Sequence, residues 1–182
     1  MDTDVEVVKP LDPLRVYDAV SGYELQTHIL TGTMGACCDN EWIGMLLHDY
    51  DHRHFLRKDG TCDMTTNVIV ITDLTVKKYG LHLHGQKLVF GHNMVLLPFD
   101  YLCVKDLDTG EIYKTSNTYT IHHFAASWLP EDERNYSRLY QKYDADFRRN
   151  GMNPKLSHYA SRIRVAYEIG GISMIFRRLF ID

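Results

Sequence analysis

No apolar run in this chain approaches the roughly 20 residues needed to span a bilayer as a helix, so a membrane-spanning helix is excluded. Residues 1–15 carry acids and prolines where a secretory signal would carry an apolar core. The sequence also lacks a surplus of positive charge: its net charge is −4 and its pI about 6.2. A broad electrostatic grip on nucleic acid is therefore not expected. Cysteine is sparse, with four in 182 residues, and none falls in a C-x-x-C pair. Adjacent Cys37 and Cys38 make a poor start for a disulfide framework or a zinc knuckle, so reduced thiols and a cytoplasmic location are expected. The sequon at Asn135–Ser137 has no consequence without a secretory signal. No linker or low-complexity tract divides the chain, and 45% hydrophobic with 24% charged residues is a globular composition.

What is present reads as α/β. "VEVV" (5–8) alternates like a short strand, and Pro10 and Pro13 end it. "LQTHILTGTMGA" (25–36) reads as a strand entering a glycine-punctuated turn. Trp42, Met45, Leu46 and Tyr50 recur at helical spacing within 39–56, with Asp39 available as N-cap. Residues 65–80 read as a helix stopped by Gly80. "LHLHGQKLVFG" and "NMVLLP" suggest short strands around turns, with His82 and His84 on an exposed edge. A turn at 108–110 leads into a strand that alternates towards His122 and His123. From Pro130 the pattern changes to long charged amphipathic helices. The expected division is 1–130 as the chemical part and 131–182 as a helical tail.

Three constellations carry chemistry. Asp2 and Asp4, at i and i+2 on an extended segment, project to one side and can share a divalent cation. The plain alternative is a solvated, charged terminus. "YTIHHFAASW" (119–128) can deliver one histidine of His122 and His123 as a neutral imidazole ligand, with Ser127 and Trp128 as donors to phosphate. Its alternative is a core tryptophan beside two strand histidines. His48 and His52 share a helix face as zinc-protease histidines do, but Asp49 stands where the general-base glutamate would be. A hydrated helix face explains that pair better than a zinc hydrolase. The basic amphipathic stretch 155–181 either rests on an anionic membrane surface or packs on the domain.

Taken together and in order, the segments "MDTDVEVVKPLDPL", "TGTMGA", "DYDHRHF", "DGTCDMTTNVIVIT", "LLPFDYLCVKDLDTGEI" and "SNTYTIHHFAASWL" resemble the sugar-binding DXD glycosyltransferase family. That family includes initiating mannosyltransferases and bacterial capsular polysaccharide transferases, and the bacterial branch is the nearer in flavour. The resemblance covers about residues 1–130. It implies a GT-A-like fold, a nucleotide-sugar donor, a saccharide or lipid-linked saccharide acceptor, Mn²⁺ or Mg²⁺, and retention at the anomeric carbon. The setting it implies is capsular or cell-surface polysaccharide synthesis at the inner face of the membrane.

By the same resemblance, Asp4 is the direct metal ligand and Asp2 reaches the metal through water or contacts the donor ribose. His122, with His123 as the alternative, is the C-terminal metal or phosphate contact. Ser127 and Trp128 meet the diphosphate, and Asp63 and Asn67 contact donor sugar or acceptor. Members of the family carry further nucleotide-binding strands ahead of the DXD strand, which have no counterpart before Met1. The expectation is therefore an α/β, GT-A-like fold lacking its first strands, followed by C-terminal helices. Residues 157–174 resemble part of that preceding segment, displaced, but His158 replaces its aspartate and an ordinary tail helix is expected there. A catalytically inactive remnant or a partner-dependent interaction module is the alternative to an active transferase.

Overall fold

The computed structural model describes residues 1–63, 65–107, 110–126 and 129–180, with 172–180 by backbone alone. It is a mixed α/β chain, with strands of both orientations and five α-helices among the described residues. The chain falls into two compact units: 1–104 with 113–123, and 105–112 with 124–182.

In the first unit, β1 (Val5–Val7) opens the chain, and a 3-10 turn over Asp12–Val16 follows with Pro13 in its first turn. Strand β2 (Ala19–Leu25) is the centre of a five-stranded sheet. It pairs antiparallel with β3 (His28–Ile29) and β4 (Gly35–Ala36), and parallel with β6 (Met94–Leu97), which in turn pairs with β5 (Leu88–Phe90). A parallel pair needs a crossover, and helices α1 (Glu41–Tyr50) and α2 (Asn67–Tyr79) supply it. Trp42 and Leu46 of α1 bury against Tyr23, Ile29, Ile71, Phe90 and Met94. The Trp42 indole donates to Thr75 Oγ1 at 2.8 Å, so its one polar atom is satisfied inside the core.

Helix α2 stops at Gly80, whose left-handed φ of 63° serves as the C-cap. The cap of α1 differs from the expectation. Asn40, not Asp39, accepts from the backbone N–H groups of Trp42 and Ile43. Asp39 has φ 57°, in the left-handed region, whereas Asn40 has the extended backbone of an N-cap residue. The segment 81–84 forms no strand, so His82 and His84 lie in irregular chain before β5.

After the short α3 (Phe99–Leu102), the chain returns as β7 (Thr120–His122), which pairs antiparallel with β1 alone. The expected long strand leading to it is absent among the described residues, because Thr115 and Asn117 turn their side chains onto the Asp100 carboxylate. Thr118 Oγ1 donates to the Asp100 carbonyl at 2.8 Å and completes that knot.

In the second unit, α4 (Glu131–Arg149) and α5 (Pro154–Phe180) form a hairpin, with α5 broken at Gly170–Gly171. Buried Asp144 of α4 is bound by Arg148 Nε at 2.7 Å and by the Ser157 hydroxyl of α5. Ser157, Ser161 and Val165 of α5 are buried, while Leu156, Tyr159, Ile163 and Tyr167 are exposed. No helix among the described residues is long and apolar enough to cross a membrane.

Candidate metal centre

The two-stranded ribbon of β1 and β7 carries His122. Asp2 and Asp4 stand at a turn leading into β1, where the Val5 N–H donates to the Asp2 carbonyl, rather than on the extended segment expected. Val5 lies opposite His122, and the backbone N–H of His123 donates to the Asp4 carbonyl at 3.0 Å. Neighbouring side chains on a strand point to opposite faces, and here that separates the two histidines. His123 Nε2 lies 3.0 Å from Glu6 Oε2. His122 Nε2 faces the other way, 3.4 Å from Asp4 Oδ1 and 3.9 Å from Asp2 Oδ2. The donor atoms of Asp2, Asp4 and His122 all lie within 4.8 Å of one another, and no other three His, Cys, Asp or Glu side chains converge in this way among the described residues.

What holds the ribbon in place is the segment Leu30–Thr33. Leu30 donates its N–H to the Gly22 carbonyl at 2.8 Å, and the Ser21 hydroxyl on β2 donates to the Leu30 carbonyl at 2.6 Å. On the other side Thr33 Oγ1 meets Thr120 Oγ1 at 3.4 Å, and Thr120 donates to the Leu102 carbonyl. The Asp2 N–H donates to the Gly32 carbonyl at 2.8 Å. The first residues of the chain are thus tied down on both sides of the acidic pair.

Electrostatics favour a metal-ready form. Burial holds the His122 imidazole below its ordinary value of 6.5, and the charges of Asp4 and Asp2 only partly oppose it. A neutral imidazole, unlike an imidazolium, has a lone pair for a cation. On β2, Glu24 is half-buried, and burial holds its carboxyl above the ordinary 4.5, with the charge of Asp2 adding to the effect. A cation beside Asp2 would relieve that strain.

The donor set fits a small divalent ion. Metal–ligand bonds of about 2.0–2.2 Å to oxygen and nitrogen place neighbouring ligands ~3.0–3.6 Å apart. The His122–Asp4 separation of 3.4 Å already lies in that range, and the His122–Asp2 separation of 3.9 Å needs only a small closure. Two carboxylates with one imidazole suit Mn²⁺ or Mg²⁺ with positions left for other oxygen ligands.

The remaining candidates lie elsewhere. Ser127 and Trp128 fall outside the described residues. Asp63 Oδ1 is engaged by Arg57 Nη2 and the Thr65 N–H, both at 3.0 Å, which makes it a loop-ordering residue ahead of α2. Hydrogen bonds from Thr65 hold its carboxyl below the usual range. Asn67, the first residue of α2, accepts from the Val68 N–H. His48 and His52 meet edge to face at a centroid distance of 5.3 Å, and His48 Nδ1 lies 3.5 Å from Asp51 Oδ2. Cys37, Cys38 and Cys62 are exposed thiols, whereas Cys103 is buried and its carbonyl accepts the His122 N–H at 3.1 Å.

Nothing in the sequence marks Gly32 or Glu24 as part of this cluster. The glycine stood inside "TGTMGA" with nothing to mark its neighbour, and a lone acid in a strand carries no signal. No family model matches this chain, and neither does any curated protein or solved structure.

Proposed function

We propose that this chain carries the metal centre of a retaining, GT-A-like glycosyltransferase that takes a nucleotide-sugar donor and a saccharide or lipid-linked saccharide acceptor. The observation supporting this reading is the convergence of Asp2 and Asp4 with His122, which is 118 positions beyond Asp4 in the sequence (122 − 4). The DXD resemblance pairs an early acidic motif with a late histidine, and the fold brings those residues into one cluster. When bound, a divalent ion would neutralise charge developing on the departing nucleoside diphosphate. Asp4 and Asp2 would hold it from the β1 side and His122 from the β7 side. His122 stays neutral because it is buried, so no proton has to leave it first.

The test is calorimetric titration of Mn²⁺ with and without UDP or GDP, on the wild type, Asp4→Asn and His122→Ala. The reading expects Mn²⁺ binding, nucleoside diphosphate binding that depends on Mn²⁺, and loss of both in either variant. Failure of the wild type to bind Mn²⁺ would remove the transferase reading and leave that of an interaction module.

A further inference from the structure

Gly32 is buried between the two halves of the metal centre, and it touches both. Its carbonyl accepts the N–H of Asp2 at 2.8 Å, which fixes the backbone of the acidic pair. Its missing side chain leaves the space that the His122 ring fills. A Cβ placed on Gly32 would lie 2.8 Å from His122 Nδ1, 2.9 Å from Cε1 and 3.2 Å from Cγ. Contacts under 3.0 Å are not tolerated by packed carbon and nitrogen atoms, so something would have to move.

The glycine backbone is poorly placed to yield. Its neighbours Leu30 and Thr33 are held by the Ser21 hydroxyl on β2 and by Thr120 on β7. His122 sits at the end of a three-residue strand and its side chain is 10% exposed. The ring is the softer partner. Gly32 does not have a left-handed φ, so an alanine there meets no backbone penalty and its effect is steric.

From this we infer that Gly32 is the positioning residue of the centre: it seats the His122 imidazole against Asp4 and Asp2 by having no side chain. The inference rests on the metal-centre reading and predicts that Gly32→Ala turns the ring out of the cluster while the acids stay. Mn²⁺ affinity then falls roughly 10–100-fold, the range found when a ligand loses its orienting neighbour.

The experiment is a double-mutant cycle of Gly32→Ala with His122→Ala, read by Mn²⁺ titration and by thermal melting of the metal-free protein. Gly35→Ala serves as control, because its Cβ would meet only Val20 Cγ1 at an ordinary 3.4 Å. Two outcomes are expected together: weaker Mn²⁺ binding in Gly32→Ala than in the wild type and Gly35→Ala, and a metal-free melting-temperature loss in Gly32→Ala that shrinks in the His122→Ala background. Additive losses in the two backgrounds would mean that alanine damages the segment generally, and the inference falls. An unchanged Mn²⁺ affinity in Gly32→Ala overturns it as well. A wild type that binds no Mn²⁺ takes down the metal reading, and the inference with it. In that case, a metal-free melting loss that still disappears with His122→Ala shows that the steric half was right and the ligand was not.

Discussion

At the scale of single residues, the centre is governed by two shifted ionisations of opposite kind. His122 has its folded value lowered by burial, so the neutral form prevails down to a pH below 6.5. A metal competes with a proton only beneath the folded value, and there affinity falls about tenfold per pH unit for one displaced proton. Mn²⁺ affinity is therefore expected to stay flat from pH 8 to 6.5 and to decline only below that, measured by titration in matched buffers. A decline that starts above 6.5 would show that the imidazole is not protected as described.

Glu24 behaves the other way. Its folded value is raised, so its contribution to stability is present below the ordinary 4.5 and is lost as pH rises through the folded value. At pH 7 the ionised carboxylate is a net cost, increased by Asp2. In metal-free protein, Glu24→Gln is expected to melt higher than the wild type at pH 7, and the two curves should converge as pH falls below 4.5. An unchanged melting temperature at pH 7 would place Glu24 in water, beyond the reach of Asp2.

Among the elements, two glycines in the crossover helices should respond to alanine with opposite sign. Gly80 caps α2 with φ 63° and ψ 36°, where a Cβ strains the backbone. Gly80→Ala is expected to cost about 1 kcal/mol. Gly44 lies inside α1 with nothing within 4 Å of the Cβ it would gain. Gly44→Ala should add about 0.5–1 kcal/mol by removing backbone entropy from the unfolded chain. Urea denaturation of the two variants against the wild type reads both signs in one experiment. Helix α2 was legible from its stop at Gly80, although its β-branched residues would also suit a strand. Strand β2 was not, although it organises the sheet. Residues 19–25 are buried or half-buried on both faces except at Leu25, so no polar alternation marks them, and Gly22 lets the Leu97 carbonyl come within 3.2 Å of its Cβ position. The cap of α1 was misplaced by one residue because Asp39 and Asn40 are chemically alike and only the backbone angle of Asp39 separates them. Asp2, Asp4 and His122 stand out in the sequence as candidate ligands by residue type, and only the fold shows that they converge. Gly32 does not stand out, since its role depends on which ring happens to lie against it.

For the molecule as a whole, the division into two units would make a bound metal a selective ligand. Asp2, Asp4, His122 and the Leu30–Thr33 segment all belong to the first unit, and the α4–α5 hairpin to the second. A ligand that binds only the folded form stabilises by RT ln(1 + [L]/Kd), about 2.7 kcal/mol at a hundred times Kd. That energy belongs to the cooperative unit that holds the site, and a two-unit chain need not unfold in one step. Amide hydrogen exchange locates it. Saturating Mn²⁺ is expected to slow exchange at the amides of Asp2, Leu30, His122 and His123, whose N–H groups close the ribbon and the segment beside it. Amides of α4 and α5 should exchange at unchanged rates. The hairpin has its own anchor in Asp144, whose carboxylate binds Arg148 and Ser157. Asp144→Ala removes the carboxylate from Arg148, leaves the Ser157 hydroxyl only the Asp144 carbonyl at 3.1 Å, and is expected to speed exchange through α4 and α5, at a cost of about 1–3 kcal/mol. It should leave the Mn²⁺ response at Asp2 and His122 intact. If Asp144→Ala abolished that response instead, the centre would not be a property of the first unit, and the ribbon of β1 and β7 would not be sufficient to hold it.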